Sequence, residues 1–538
     1  MDEGDASLPL LGDSTAPHPS REGEGHREAA GWGGGAEGRD SGDHPTPRRF
    51  AARPSPSRGG RRPLLAATPG RLLVGFALLG LLLRFLAARG DLWFDEVTSL
   101  RFLREQATSL GDVFLTIHSD NNHLFNSAWL WLVGLDAPVL MLRALSILLG
   151  GASVAAAWAA CRPSGEISAR VAALLFAVGY FFVHYGSEAR GYSGMILAIL
   201  VAYAALQAIL ARGVSAGRLG LFGAAICAGT LFHLTMLEAS GALVASAMGP
   251  ICFGPGGRRE KFRRVALLAG AAGLASAPAL GFFAHAVLAG DFRHGWMEPF
   301  TPATLFEGLA GVARSVLGLP ESFGDASCVA LAALMALALL AVVPARRRWF
   351  PAIAIFGSPL LHAALGLPSE SYARFHMSVA VALPLLFADG FGALWARGRA
   401  WRGLGVAALA LVLAGQALNL AKFFGAGRGD YTAAERRMTE RGPTSFATDT
   451  EFAPGENRLL ALFAARRAGF DLRPVAEGAW CGAPPQWLIV AALPKRPHPA
   501  SLEKTAGPPD CPTRFRLDRA YPTWGLSGYS WTLYRRED

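Results

Sequence analysis

Residues 72–99 read LLVGFALLGLLLRFLAARGDLWFDEVTS, an apolar run followed at once by carboxylates. The apolar part, residues 72–88, has the length and character of a transmembrane helix. Asp95 and Glu96 follow it closely, and paired carboxylates where a helix leaves the bilayer are costly to dehydrate. They are therefore expected in a water-filled site, which predicts chemistry at a membrane interface rather than a simple anchor.

The composition is that of a chain that crosses the membrane many times. Of its 538 residues, 52% are hydrophobic and 17% are charged. A soluble chain of this length would divide into domains with charged surfaces. We expect an all-α polytopic membrane protein of about 11 transmembrane helices, because apolar runs of spanning length recur. The predicted spans are residues 71–89, 139–160, 168–185, 191–211, 217–233, 237–254, 264–289, 325–344, 350–366, 375–394 and 402–423.

Basic residues mark one side of this predicted topology. The net charge is +10, and its clusters lie in alternate loops, as the positive-inside rule requires. The pattern predicts a cytoplasmic N-terminus and, with an odd number of spans, an extracytoplasmic C-terminus. Nucleic acid is excluded as a partner because no soluble domain shows a basic face. The predicted inner loops hold Arg162, Arg170, Arg212, Arg218, Arg258, Arg259, Lys261, Arg263, Arg264, Arg346, Arg347, Arg348, Arg397, Arg399 and Arg402.

Three regions differ in composition. Residues 1–68 are rich in Gly, Pro, Ser and charged residues, which predicts a disordered cytoplasmic tail. Residues 69–425 form the predicted membrane domain. Residues 426–538 form a predicted small extracytoplasmic α/β domain, because helical patterns there alternate with strand-like runs at 445–448, 487–492 and 530–534. Cys481 and Cys511 lie in this region and could pair if it faces an oxidising compartment.

Two long outer loops contain apolar residues at helical spacing. The first loop covers about residues 90–138 and the second about residues 290–324. Both patterns predict amphipathic helices along the outer interface, and ordinary packing against the bundle is compatible with that position. The apolar positions are Val97, Leu100, Leu103 and Ala107 in the first loop, and Leu305, Leu309, Val312 and Val316 in the second.

Carboxylates, histidines, arginines and aromatic residues accumulate at the outer ends of the predicted spans. The inner loops hold mostly basic residues and little of this mixture. Convergence of such groups on one side predicts a site. The clusters are residues 95–96, 118–123, 184–192, 233–238, 291–298 and 369–376.

The order of these motifs resembles that of bacterial GT-C glycosyltransferases of the protein-mannosyltransferase and aminoarabinose-transferase superfamily. The resemblance covers about residues 70–425. The shared motifs are Asp95-Glu96 after the first span, Asn122-His123, the S-E-A-R-x-Y stretch at residues 187–192, His233 at the end of a middle span, and Arg374 before a Pro-containing span.

The resemblance implies an integral membrane enzyme of the cell envelope, in the bacterial inner membrane. Such an enzyme transfers a sugar from a polyprenyl-monophosphate donor to a glycan, lipid or protein acceptor outside the cytoplasm. Asp95 is then the catalytic carboxylate, which deprotonates the acceptor hydroxyl while the sugar C1 is attacked. Glu96 could share that role, bind a cation or orient the acceptor. The alternative for this pair is that one acid caps the helix that follows.

Arg190 and Arg374 are the candidate ligands of the donor phosphate, because a guanidinium offers bidentate hydrogen-bond donors and stays charged. The alternative is that they reach lipid headgroups. Tyr185, Tyr192 and Glu188 are expected to shape the same pocket, although Glu188 could simply pair with Arg190.

His123, His233 and Glu238 are expected to line the substrate pocket, and each histidine could instead be a hydrogen-bonded structural residue. Arg143 is a further candidate, either as a third phosphate ligand or as the partner of Asp136. No cofactor is certain. Asp95, Glu96, Asp120 and His123 offer oxygen-rich ligands that suit a hard divalent cation, but their spacing matches no compact metal-binding loop.

Two other classes of membrane protein remain alternatives. A lipid-linked sugar flippase or transporter would place charges at mid-membrane and often show internal repeats. A structural membrane protein would not need carboxylates and arginines at so many span ends. Because the ionisable residues cluster at the outer ends and no repeat is evident, the glycosyltransferase interpretation is favoured.

Overall fold

The computed structural model describes residues 69–295, 298–368, 371–449, 452–494 and 501–537, and the predicted disordered tail (1–68) lies outside them. The described residues belong to one compact unit. Its helices up to residue 426 are α1 (Pro69–Ala87), α2 (Phe94–Gln106), α3 (Asp112–Leu115), α4 (Leu124–Val133), α5 (Val139–Cys161), α6 (Glu166–Val178), α7 (Tyr180–Tyr185), α8 (Tyr192–Arg212), α9 (Ala216–Phe232), α10 (Met236–Cys252), α11 (Arg258–Leu288), α12 (Pro302–Leu317), α13 (Asp325–Val342), α14 (Ala345–Ala352), α15 (Ser358–Leu365), α16 (Met377–Ala396) and α17 (Arg399–Ala426).

The helices of this region are those of an integral membrane protein. Among the described residues, seven helices are long and apolar enough to cross a membrane. They contain α1, α5, α8, α11, α13, α16 and α17. The other four predicted spans also correspond to helices, but these are short or interrupted. Helices α9 and α10 have 17 residues each, α6 and α7 are separated at Gly179, and a π-helical turn separates α14 from α15.

The break between α6 and α7 explains a buried arginine in the first span. At Gly179 the backbone adopts an extended conformation, so the carbonyl groups before it lose their helical hydrogen-bond partners. Arg84 of α1 is buried and donates hydrogen bonds to the backbone oxygens of Phe176, at 2.9 Å, and Ala177. Because an unsatisfied carbonyl inside a membrane protein is costly, this contact stabilises the broken helix. The break directs the chain towards residues 186–191.

Both predicted loop helices are present. Helix α2 buries Val97, Leu100 and Leu103, and these side chains share a hydrophobic cluster with residues of the C-terminal region such as Leu460 and Trp531. Helix α12 packs against α13, α16 and α17. The apolar faces of both helices therefore pack against the rest of the protein, as the sequence analysis allowed.

The C-terminal region is a small mixed sheet with two helices. Its elements are α18 (Tyr431–Met438), β1 (Thr444–Thr448), α19 (Pro454–Ala468), β2 (Leu472–Pro474), β3 (Trp487–Ala492), β4 (Glu503–Ala506), β5 (Thr513–Tyr521) and β6 (Ser530–Arg536). The strand order is β2-β1-β3-β6-β5-β4, with β1 parallel to β2 and β3 and the remaining pairs antiparallel. Cys481 and Cys511 form a disulfide, with their Cα atoms 5.2 Å apart, as the sequence suggests.

Candidate functional site

The start of α2 separates the two adjacent acids. Successive residues of an α-helix point about 100° apart, so Asp95 and Glu96 cannot face the same surroundings. Glu96 turns back and accepts a hydrogen bond from the backbone N–H of Trp93 at 3.1 Å, which ties the first turn of α2 to the residue before it. Asp95 points towards the two arginines that the sequence singles out.

Asp95 forms ion pairs with Arg190 and Arg374. Its Oδ2 lies 2.7 Å from Nη1 of Arg190 and 3.5 Å from Nη1 of Arg374. The exposed fraction of the Asp95 side chain is 16%, against 6% for Arg190 and 17% for Arg374. These three residues come from the start of α2, the loop at 186–191 and the 3-10 turn Ala373–His376. The fold thus brings together three motifs that are far apart in the sequence.

Neighbouring polar and aromatic residues hold the two arginines in place. Arg190 donates hydrogen bonds to the side-chain oxygen of Asn121 and to the hydroxyl of Tyr192, the latter at 3.2 Å. Asn121 in turn donates to the backbone oxygen of Asp95 at 3.0 Å. The guanidinium carbon of Arg374 lies 4.4 Å from the ring centroid of Tyr372. Asn121 and Tyr372 are absent from the residues predicted for the site, although both lie in the clusters noted in the sequence.

Glu96 is enclosed in a buried ion pair, and this geometry does not favour the predicted catalytic role. Its side chain has 0% exposure. Oε1 accepts hydrogen bonds from Nε of Arg143 at 2.8 Å and from the backbone N–H of Ala189 at 2.7 Å. Arg143 also donates to the backbone oxygens of Ala88 and Asp91. Glu96 and Arg143 thus hold the loop after α1. The guanidinium of Arg143 is engaged there rather than placed at the phosphate ligands, and Asp136 pairs with Arg104 instead of Arg143.

His123 and His233 lie side by side, next to the cluster of Asp95, Arg190 and Arg374. Their ring centroids are 4.6 Å apart, and those of Tyr192 and His233 are 5.0 Å apart. His123 donates from Nδ1 to the backbone oxygen of Phe232, at 3.2 Å, in the tautomer that this contact requires. Burial, followed by the charge of Arg190, lowers the pKa of His123 well below its usual range. The His123 ring is therefore neutral at physiological pH.

The two histidines open onto a cleft. Its lining includes Asp120 and Asn122 together with the phenyl rings of Phe114, Phe282, Phe283 and Phe292. A cleft lined by both apolar and polar groups suits a molecule with both kinds of surface.

Tyr185 and Glu238 lie behind the site. The Tyr185 ring is buried, with its centroid 4.8 Å from that of Tyr192. Glu238 lies 3.2 Å from Nε2 of His362 and accepts a hydrogen bond from Ser378. Glu238 therefore joins α10 to α15 and α16, and it is not among the residues that line the described cleft.

Glu188 pairs with the C-terminal region rather than with Arg190. Its Oε1 lies 3.2 Å from Nε of Arg428 and 3.0 Å from Nε2 of His184, and it accepts a hydrogen bond from Ser527. Arg428 also donates to the backbone oxygen of Ala87 at 3.0 Å. Glu188 is thus a buried anchor between the membrane helices and the sheet. Arg428 is absent from the sequence-based candidates, since it belongs to no motif.

Asp95, Glu96, Asp120 and His123 do not assemble as a set of metal ligands. Glu96 is paired with Arg143, and Asp95 is paired with two arginines. Across the described parts of the chain, no group of three or more His, Cys, Asp or Glu side chains is placed as metal ligands would be.

Comparison with known proteins gives the following similarities. No family model matches the chain, and no curated protein matches it. Among solved structures, the chain is similar to ArnT from Cupriavidus metallidurans bound to undecaprenyl phosphate, with 13% identity and a TM-score of 0.48 over 87% of this chain and 98% of that one. It is also similar to the archaeal oligosaccharyltransferase AglB from Archaeoglobus fulgidus in complex with an inhibitory peptide and a dolichol-phosphate, with 11% identity and a TM-score of 0.41 over 78% of this chain and 69% of that one.

Proposed function

We propose that this protein is a membrane glycosyltransferase that moves a sugar from a polyprenyl-monophosphate donor to an acceptor hydroxyl outside the cytoplasm. The observation that carries the proposal is the placement of Asp95 between Arg190 and Arg374 beside a half-apolar cleft. A carboxylate and two arginines are the groups that such a transfer needs. The carboxylate accepts a proton, and the two arginines hold a phosphate.

The charge balance of the cluster supports an anionic ligand. Two guanidinium groups share the one carboxylate in contact with them, so the cluster of Asp95, Arg190 and Arg374 carries surplus positive charge. A buried charge without full compensation is costly, and a phosphate would supply the missing negative charge through short, charge-assisted hydrogen bonds. The polyprenyl chain of the same donor would occupy the phenyl-lined cleft next to His123 and His233.

The two oxygens of Asp95 have separate roles in this proposal. Both arginines lie closest to Oδ2, and Oδ1 has no hydrogen-bond partner among the described residues. Oδ1 would take the proton of the acceptor hydroxyl as the acceptor oxygen forms its bond to the sugar C1. The bond between C1 and the phosphate oxygen breaks, and its electron pair leaves with the lipid phosphate. Arg190 and Arg374 stabilise the charge that develops there.

The remaining predicted residues take supporting roles. Tyr192 accepts a hydrogen bond from Arg190 and would keep its guanidinium directed at Asp95, and the Tyr185 ring packs edge-on against Tyr192. We propose structural roles for Glu96, Glu188 and Glu238, because each is held by buried partners.

The same proposal includes the orientation and the compartment. A cytoplasmic N-terminus puts the site and the sheet of the C-terminal region outside, in the cell envelope of a bacterial inner membrane. The alternation of basic loops supports this orientation. The domain boundaries at residues 68/69 and 425/426 belong to this proposal as well.

The experiment that tests the proposed function is a turnover assay in nanodiscs. Wild-type protein receives a panel of polyprenyl-monophosphate sugars together with crude envelope extract, and mass spectrometry follows the free lipid phosphate and the glycosylated product. Release of lipid phosphate with one donor of the panel would support the proposal. Binding of the lipid without cleavage of any donor would contradict it.

A further inference from the structure

The C-terminal region brings a second carboxyl group close to Asp95. Glu456 lies in the first turn of α19, and its Oε2 accepts a hydrogen bond from the hydroxyl of Tyr529. Tyr529 is buried, and its backbone N–H donates to the hydroxyl of Tyr431 at 2.9 Å. Neither Glu456 nor Tyr529 belongs to a sequence motif of the site.

Ring contacts and charges place this pair at the site. The ring centroid of Tyr529 lies 6.3 Å from that of Phe94, the residue before Asp95. Burial raises the pKa of Glu456 above its usual range, against the hydrogen bond from Tyr529, and Asp95 raises this pKa further while Arg374 lowers it. Two of the three charged groups of the central cluster, Asp95 and Arg374, are therefore close enough to act on Glu456.

The turn that carries Glu456 is strained and firmly held. Ala453 has a φ of 44°, and it is the one non-glycine residue with positive φ in the described part of the chain. This conformation is unfavourable for a residue with a Cβ, and it persists only where the surroundings enforce it. Here Asn457 donates to the backbone oxygen of Ala453 at 2.9 Å and accepts from Nε1 of Trp531 at 2.8 Å. Strain maintained in this way is typical of functional sites.

The hydroxyl of Tyr529 contacts one of the two carboxyl oxygens of Glu456. Oε2 is bound by Tyr529, whereas Oε1 has no hydrogen-bond partner among the described residues. A carboxyl group binds hydroxyls and repels phosphate, so its partner is the acceptor rather than the charged end of the donor. This step rests on the proposed function.

We infer that Glu456, held by Tyr529, is a specificity-determining residue that binds a hydroxyl group of a polyhydroxylated acceptor on the side of the site formed by the C-terminal region. In this arrangement Asp95 receives the proton of the reacting hydroxyl, and Glu456 binds a neighbouring hydroxyl. The acceptor is thereby fixed by groups from the membrane helices on one side and from the sheet region on the other.

The test measures the dependence of the steady-state rate on the acceptor and on the donor separately. The full-length protein in nanodiscs receives the donor that wild type cleaves, and envelope extract is titrated as the acceptor. Glu456→Ala should raise the half-saturating amount of extract by about tenfold or more, because a site built to bind a hydroxyl discriminates strongly. The KM for the donor should change less than twofold. Tyr529→Phe should also raise the half-saturating amount of extract, by a smaller factor, and should leave the KM for the donor nearly unchanged.

The matched control is Glu503→Ala, which removes an exposed carboxylate from β4 of the same region and should leave both constants unchanged. An unchanged half-saturating amount of extract in Glu456→Ala would overturn the inference while the proposed function stands. A parallel rise of the donor and acceptor constants would also overturn it, since that result marks Glu456 as a structural residue. Failure of wild type to cleave any donor would overturn both.

Discussion

Nη1 of Arg190 lies 2.7 Å from Oδ2 of Asp95, so the candidate base and a candidate phosphate ligand are in direct contact before any substrate is bound. Arg374 lies 3.5 Å from the same oxygen. The arrangement fixes the carboxylate, and the remaining N–H donors of the guanidinium groups can still bind an anion.

The two arginines should act on the donor. Arg190→Lys and Arg374→Lys keep the positive charge but lose the planar set of donors, so each should raise the KM for the donor roughly tenfold to a hundredfold. Kinetics with a polyprenyl-monophosphate sugar in nanodiscs would measure this. Arg101→Lys, on the exposed face of α2, is the control and should behave as wild type. A donor KM equal to that of wild type in both site variants would exclude phosphate binding by these residues.

Glu96 should matter for stability instead of chemistry. Glu96→Gln leaves Arg143 buried without a charged partner, and breaking such a pair costs roughly 3–5 kcal/mol. We expect a clear drop in melting temperature in detergent, with transfer activity per folded molecule retained. Glu105→Gln, at an exposed position of the same helix, should not change the melting temperature. If Glu96→Gln melts like wild type and has lost activity, the structural assignment is wrong.

Glu188 and Arg428 should anchor the C-terminal region. Arg428→Met removes the cation that contacts Glu188 and the backbone oxygen of Ala87. We expect faster amide hydrogen exchange in β6 and easier proteolysis near residue 428, because local opening requires the loss of such buried contacts. Arg516→Met, on the exposed side of β5, is the control. Equal exchange in the two variants would show that the ion pair does not hold the region.

The disulfide should stabilise the sheet. Cys481 and Cys511 are separated by 30 residues, and closing a loop of that size stabilises the folded state by roughly 3–4 kcal/mol in the chain-entropy model. Mass spectrometry of the non-reduced protein should find the two cysteines linked, and the double Cys→Ser variant should melt at a lower temperature. Two free thiols in protein purified from the envelope would refute the pairing.

The sequence predicts the helices well because apolar runs of spanning length have few alternatives. It does not predict the break at Gly179 or the π-helical turn after α14, since neither changes the average hydropathy of its segment. It also misses β2, β4 and β5. These outer strands carry exposed charged residues such as Arg514 and Arg516, and their apolar content is too low to distinguish them from a loop. The central strand β3 is buried at five of its six residues, so its continuous apolar run predicts a strand.

For the site, the sequence identifies the motifs but not the pairing among them. Asp95, Arg190 and Arg374 are all named by their motifs, and they converge. The roles of Glu96 and Glu188 depend on Arg143 and Arg428, whose positions follow from tertiary packing. Glu456 lies in the C-terminal region, far from every motif, so only the folded chain brings it near Asp95.

The most direct measurement of the central claim compares wild type with Asp95→Asn in the same nanodisc assay. Asparagine keeps the size of the side chain but cannot take up the proton, so lipid phosphate release should fall at least about a hundredfold. Binding of the donor lipid, measured separately with the non-cleaved polyprenyl phosphate, should persist because Arg190 and Arg374 remain. Release by Asp95→Asn at the wild-type rate would contradict the assignment of Asp95 as the general base.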